Sequence, residues 1–164
     1  MTAVARLAQE RKNWRKDHPP EFVAKPRSKA DGSTDLLNWD CVIPGKKGTL
    51  WEGCKIKLSF AFSTDYPQKP PIVKTVPVLW HMNVWSSGQI CLNLINPPDG
   101  KKFADGKDHG AWTAAITIKQ VLMAVQELLH DPYPAGARQE VEKLFKTDRK
   151  KYDKRLKEEA DKYR

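Results

Sequence analysis

The sequence predicts an α+β fold: an N-terminal helix, a four-stranded antiparallel meander sheet, an irregular segment around one cysteine, a central core helix and two C-terminal helices. Three observations predict it. Ile56, Leu58, Phe60 and Phe62 alternate with Lys55, Lys57, Ser59 and Ala61, the period of a half-buried strand. Ile118, Val121, Leu122, Val125, Leu128 and Leu129 form a broad helical apolar face. The joints between the strand-like runs are short, which favours antiparallel neighbours, and helices then lie at one side or end of the sheet.

Taken in order, residues 2–17 read as a helix with Val4, Leu7, Ala8 and Trp14 at helical spacing and Arg11 on the same side. His18-Pro19-Pro20 ends it, because proline disfavours the helical region in its predecessor and has no N–H to donate. Phe22-Val23-Ala24 begins a first strand, and Asp31-Gly32 is a turn signal. Leu37, Trp39, Cys41 and Ile43 point inward along the second strand, and 55–62 is the third. Tyr66-Pro67 through Pro70-Pro71 is a rigid turn before a fourth strand at Ile72–Val76. Asn96 through Gly110 has no period and reads as an extended loop, a length often given to function. Thr117 and Gln120 fit a capping box at the start of the central helix, and Asp131-Pro132-Tyr-Pro134 stops it. Val141, Leu144 and Phe145 suit a third helix; Tyr152, Leu156, Ala160 and Tyr163 suit a last one. Residues 1–164 are expected to form one domain.

A formal net charge of +9 favours acidic partners. The three cysteines, Cys41, Cys54 and Cys91, show no CxxC pairing, which argues against a disulfide framework or a zinc site and for a reducing compartment. The first ten residues lack the apolar core of a signal peptide, and no window approaches about 18 uninterrupted apolar residues, so no membrane span is expected.

The chemistry concentrates in His81 through Ile95, where Cys91 follows a Gly88 turn with His81 and Asn83 upstream. Cys91 reads as packing or as a nucleophile. A Cys/His hydrolase needs a base within reach of the sulfur and a third group orienting that base. No protease signature surrounds Cys91. His81, Cys91 and His109 lack paired metal-ligand spacing, and Gly45-Lys-Lys-Gly48 lacks the Ser/Thr of a phosphate loop. A basic nucleic-acid module is a further alternative, although the aromatics fall mainly at inward positions, where no stacking platform forms.

Several stretches together resemble the SUMO-conjugating branch of the ubiquitin-like-protein conjugating enzymes, the UBC-fold family. They are Arg6-Leu-Ala-Gln-Glu-Arg-Lys, Trp14-Arg-Lys-Asp-His-Pro, Asn38-Trp-Asp-Cys, Ile43-Pro-Gly-Lys-Lys-Gly-Thr, Trp51-Glu-Gly, Asp65-Tyr-Pro, Pro70-Pro71, the His81…Asn83…Cys91 spacing, Ala115-Ile-Thr-Ile-Lys-Gln and Gln126-Glu-Leu-Leu. The resemblance implies the UBC fold and a transferase. Cys91 would take SUMO as a thioester from the SUMO-activating enzyme and hand it to a substrate lysine as an isopeptide. No cofactor is implied, since the activating enzyme consumes the ATP. Asn83 would donate to the developing oxyanion or brace the cysteine loop, and loss of such a donor typically costs about 10²–10³ in rate. His81 matches a structural residue.

By the same resemblance, Arg11, Arg15 and His18 would bind SUMO or the activating enzyme, and Lys46 and Lys47 match the family's basic loop. Lys74 would lie near the acid of a Ψ-Lys-x-Glu substrate motif, with Ser87 and Gln89 near the acceptor peptide. SUMO ligases are implied as partners, membrane and nucleic acid are not, and the implied location is nucleus and cytoplasm. The sequence also departs from the family. Met82 stands where the family has proline, which predicts a less rigid turn. Trp85 replaces a tyrosine of the catalytic surface, and Ile72 replaces one of two substrate-facing lysines. Ala135-Gly136 occupies the place of an aspartate that orients the incoming lysine. Asp99, Asp105, Asp108 or His109 on the 96–110 loop are candidate substitutes. A catalytically weakened or silent SUMO-binding scaffold, and a ubiquitin-conjugating enzyme, are the alternatives within the fold.

Overall fold

A computed structural model describes residues 1–100, 102 and 105–164. Helix α1 (Ala3–Lys16) leads into strands β1 (Val23–Ser28), β2 (Thr34–Pro44), β3 (Lys55–Ala61) and β4 (Ile72–Thr75), and helices α2 (Ile118–His130), α3 (Gln139–Thr147) and α4 (Arg149–Asp161) follow. The strands pair in chain order, antiparallel throughout. The UBC-fold architecture expected from the sequence is the one observed, with a 3₁₀ turn at Asn93–Ile95 that no period announced.

The alternation in β2 and β3 is realised as burial. Trp39, Cys41 and Ile43 face inward across from Phe60, Leu58 and Ile56. The six apolar residues foreseen on α2 are all buried, and α2 packs on β2. Its capping box is complete: Gln120 N–H donates to Thr117 Oγ1 (3.1 Å), and Thr117 N–H donates to Gln120 Oε1 (2.8 Å). Two otherwise orphaned donors are thereby satisfied.

The inward face of α1 differs from the expected one. Val4 and Ala8 are exposed, while Ala3, Leu7, Glu10 and Trp14 are buried. The cause is a polar pair that apolar spacing does not reveal. Arg6 donates to the carbonyls of Ala114 (2.6 Å) and Ile116 (3.1 Å), and Glu10 sits beside it at 3.1 Å to balance its charge. Arg11 is half-buried. Tyr163, expected on the last helix, lies past the end of α4, where its carbonyl accepts the Lys55 N–H (2.8 Å). All three cysteines are free and buried. No helix among the described residues is long and apolar enough to cross a membrane.

Candidate functional site

Beyond β4 the chain turns back and lays residues 88–90 along the free edge of that strand. Thr75 N–H donates to Gly88 O (2.9 Å) and Ile90 N–H to Val73 O (2.9 Å). The hairpin between 83 and 91 is closed by Trp85 N–H to Gln89 O (2.9 Å), Gly88 N–H to Trp85 O (2.8 Å) and Cys91 N–H to Asn83 O (2.8 Å). Gly88 is required at this turn. Its φ is +92°, and a Cβ there would come within 3.0 Å of Thr75 O. Asn83 and Cys91, eight residues apart in the chain, therefore face each other across a two-stranded hairpin.

The Asn83 side chain is fully buried and reaches across to the segment after α2. Its amide donates to Tyr133 O (2.8 Å), and its Oδ1 accepts from Tyr133 N–H (3.0 Å). The bonds seen are those of a brace between the cysteine hairpin and the chain leaving α2. Arg138 reinforces it, donating to Val84 O (2.9 Å) and Leu79 O (3.3 Å).

His81 is buried, with both ring nitrogens occupied. Nδ1 lies 3.0 Å from the Asn83 N–H it accepts, so the proton sits on Nε2, which donates to Leu129 O (3.1 Å). Burial pushes its pKa down to about 4, so the ring is neutral. With no free nitrogen it cannot serve as a base, which removes the Cys/His hydrolase. Met82, expected to loosen this turn, is fully buried in the core, and the turn is closed by Val84 N–H to His81 O (3.1 Å).

Cys91 is 8% exposed, and burial raises its thiol pKa. The opposing influence is the neighbouring Tyr133 hydroxyl, which lowers that pKa. The same hydroxyl lies 3.2 Å from Cys91 O, to which it donates, and 3.4 Å from Asn93 Oδ1. Tyr133 itself stays protonated, since burial and the neighbouring sulfur raise its pKa. In the sequence, Tyr133 served only as part of a helix stop. An aromatic between two prolines, directly after the core helix, was the available signal.

Two cavities flank the cysteine hairpin. One, of about 240 Å³, is lined by Cys91 itself with Trp85, Gln89, Ile90, Asn96, Pro97, Asp99 and Asp108. The other, of about 400 Å³, is lined by Asn93, Tyr133, Pro134, Ala135, Gly136 and Glu142 together with Asp105 and His109. The loop candidates thus divide between the two sides. Asp108 is committed to holding the loop, accepting from Gly100 N–H (2.8 Å) and Gly110 N–H (2.9 Å). Asp105 accepts from Lys107 N–H (3.0 Å) and pairs with His109 Nε2 (2.5 Å), which together hold its carboxyl below the usual range. The loop's ends are drawn together by Ala111 N–H to Asn93 O (3.0 Å) and Trp112 N–H to Asn96 O (3.1 Å). Lys101, Phe103 and Ala104 of the expected 96–110 loop fall outside the described residues.

The remaining sequence candidates sit apart. Lys74 is bridged to Gln89 beside the hairpin, and Ser87 Oγ accepts from Gln89 N–H (3.3 Å). Arg11, Arg15 and His18 belong to α1 and its end, which packs on β1 and β2, and they line neither cavity. His18 stacks on Trp14 with centroids 5.2 Å apart. Lys46 is paired with Glu127 of α2, while Lys47 is exposed. Among the described residues no group of three His, Cys, Asp or Glu side chains could hold a metal ion.

A sulfur whose hairpin histidine, His81, is neutral with both nitrogens occupied, set beside an open cavity, is suited to hold an acyl group until an amine arrives. The class this fold and site define is that of the thioester-forming conjugating proteins. The ubiquitin-conjugating enzyme family profile matches residues 6–160, and the chain belongs to that family. Its relatives include the SUMO-conjugating enzyme UBC9 of Caenorhabditis elegans, 44% identical over 164 residues, covering 98% of this chain and 91% of the relative. SUMO-conjugating enzyme SCE1 of Arabidopsis thaliana is 45% identical over 162 residues, covering 98% and 94%. Sumo-conjugating enzyme ubc9 of Dictyostelium discoideum is 41% identical over 160 residues, covering 97% and 94%.

Proposed function

We propose that this chain is a SUMO-conjugating enzyme, a transferase that carries SUMO as a thioester on Cys91 and passes it to substrate lysines. The carrying observation is the hairpin that sets Cys91 against Asn83, in a chain similar over nearly its full length to SUMO-conjugating enzymes of three organisms. In loading, the Cys91 thiolate attacks the thioester carbon of SUMO on the activating enzyme, and the electron pair of the broken C–S bond leaves on that enzyme's cysteine. In discharge, a neutral substrate lysine attacks the Cys91 thioester. The C–Sγ bond breaks, and the departing thiolate receives the Tyr133 hydrogen bond. Asn83 acts by bracing hairpin and Tyr133 into one unit. Asp105, held ionised on the far side of Tyr133 and paired with His109, draws in the lysine ammonium, whose surplus proton passes to solvent water.

The basic residues of α1, Arg11 and Arg15, with His18, form the surface for SUMO and the activating enzyme, together with Lys46 and Lys47. Lys74, Ser87 and Gln89 meet the acceptor segment, with Lys74 facing the acid of a Ψ-Lys-x-Glu motif. SUMO ligases assist, the enzyme has no cofactor of its own, and it works in nucleus and cytoplasm. The test is incubation with activating enzyme, ATP and SUMO, followed by a non-reducing gel. A thiol-sensitive adduct that is lost in Cys91→Ala is expected. No adduct would make the chain a silent scaffold, and an adduct with ubiquitin alone would place it in another branch.

A further inference from the structure

Between residues 143 and 157 the chain carries eight basic and two acidic residues, and both acids are already engaged. Asp148 caps α4, its Oδ1 accepting the Lys151 N–H (3.1 Å), and Asp153 pairs with Arg149 (3.3 Å). Lys146 is held by Glu142 (2.9 Å) and Lys157 by Asp161 (3.3 Å), while Arg155 lies over Trp80 and within 3.8 Å of Glu159. Lys143, Lys150, Lys151 and Lys154 are exposed and have no ion pair among the described residues. Three of these share α4. At 3.6 residues per turn, Lys150, Lys151 and Lys154 fall in a sector of about 100°, opposite the buried Tyr152, Leu156 and Ala160. Glu158, one turn further on, closes the patch without pairing with Lys154. The helix dipole works against this placement, since it puts partial positive charge at the start of a helix. The first turn of α4 nevertheless holds Arg149, Lys150 and Lys151 and no acid. Helix α3 has Glu140 and Glu142 there, and α1 keeps Arg15 and Lys16 for its last turn. The cations gathered at the start of α4 are therefore under-balanced by the chain itself.

We propose that the outer face of α4, at Lys150, Lys151 and Lys154, binds the phosphate backbone of double-stranded nucleic acid without reading its sequence. Charge complementarity selects an anion, and the surroundings select which one. Lysine ammoniums are point charges, suited to a row of phosphates rather than to one shaped ligand. Helices α3 and α4 expose no large apolar side chain, so a protein partner finds no anchor there. The apolar side of α4 is buried against the rest of the molecule, so no side chain is available to enter a bilayer. Arg149 covers the Phe145 ring at 4.1 Å and Tyr152 is buried, which leaves no platform for the bases of a single strand. A duplex keeps its bases stacked inside and presents phosphates along its outside. None of the three lysines lines either cavity beside Cys91, so the two surfaces are separate.

The test is fluorescence anisotropy of a short labelled DNA duplex of arbitrary sequence, titrated with the full chain at several salt concentrations. Neutralising three phosphates gives a slope of about −2.7 for log K against log salt, a loss of about 40-fold between about 50 and about 200 mM. A triple variant, Lys150→Gln with Lys151→Gln and Lys154→Gln, changes exposed positions only and is expected to lose about tenfold or more at the lowest salt. A control with the same change of net charge, Lys12→Gln with Lys25→Gln and Lys29→Gln, also alters exposed positions and is expected to stay within about twofold. Binding by the triple variant equal to that of the unaltered chain would overturn the proposal, as would an equal loss in the control. So would tighter binding to a single strand, to an acidic peptide or to anionic phosphatidylserine vesicles than to the duplex. The readout needs no thioester, so failure to load SUMO on Cys91 would leave it unaffected.

Discussion

Tyr133 concentrates several tasks in one residue. Its backbone N–H and C=O hold the Asn83 amide from both sides, while its hydroxyl attends to Cys91. Among the described residues it is the group that opposes the burial of the thiol. A hydrogen bond to a charged group is worth about 1.5–3 kcal/mol, and one pH unit corresponds to about 1.4 kcal/mol. Tyr133→Phe leaves the backbone clamp in place and removes the hydroxyl, with its bond to Cys91 O and its influence on the thiol. The midpoint of the pH profile for Cys91 alkylation by iodoacetamide should then rise by about one unit. A midpoint that stays put would mean the hydroxyl serves the Cys91 and Asn93 oxygens alone. At this scale the sequence pointed to the segment where Asn83 and Cys91 face each other across the hairpin. It was silent on Tyr133, because Asn83 and Tyr133 are separated by 50 positions with no periodic signal of their contact.

Among the elements, the 96–110 loop is the one whose role depends most on closure. Gly110 permits it: a Cβ there would stand 2.3 Å from Pro97 O, so only glycine lets the loop's two ends meet. With the ends drawn together, Asp108 ties the loop internally and Asp105 is left facing the cavity of Tyr133 and Gly136. Removing its charge in Asp105→Asn should lower the ratio of discharge rate to loading rate about tenfold. The measurement is single-turnover transfer from preloaded enzyme to a lysine substrate, and an unchanged ratio would remove Asp105 from the reaction. Helix α2 shows the opposite relation to sequence: its cap, face and stop were all legible, because each is set by neighbours within four residues.

For the whole molecule, His81 links the site to stability. The folded chain keeps it neutral down to about pH 4, whereas the unfolded chain protonates it near its ordinary value of 6.5. Between these values unfolding takes up a proton, so stability falls as pH falls from about 6.5 to about 4 and is regained as pH rises. The full window is worth about 3 kcal/mol from this group. Urea unfolding measured across that window should show the loss, and His81→Gln should flatten it while lowering stability at neutral pH. An equal slope in the variant would assign the pH dependence to other groups.

Local pattern in the sequence determined the α+β class, the order of its elements and the inward faces of β2, β3 and α2. Each of these depends on residues within a few positions of one another, where strand and helix periods act directly. The tertiary structure alone decided three things. It paired Asn83 with Tyr133, gave His81 two backbone partners in place of a catalytic task, and divided the loop acids between two cavities. Those outcomes come from groups brought together only when the apolar faces of sheet and helices close on a common core. Buried polar atoms must then find partners wherever the packing puts them.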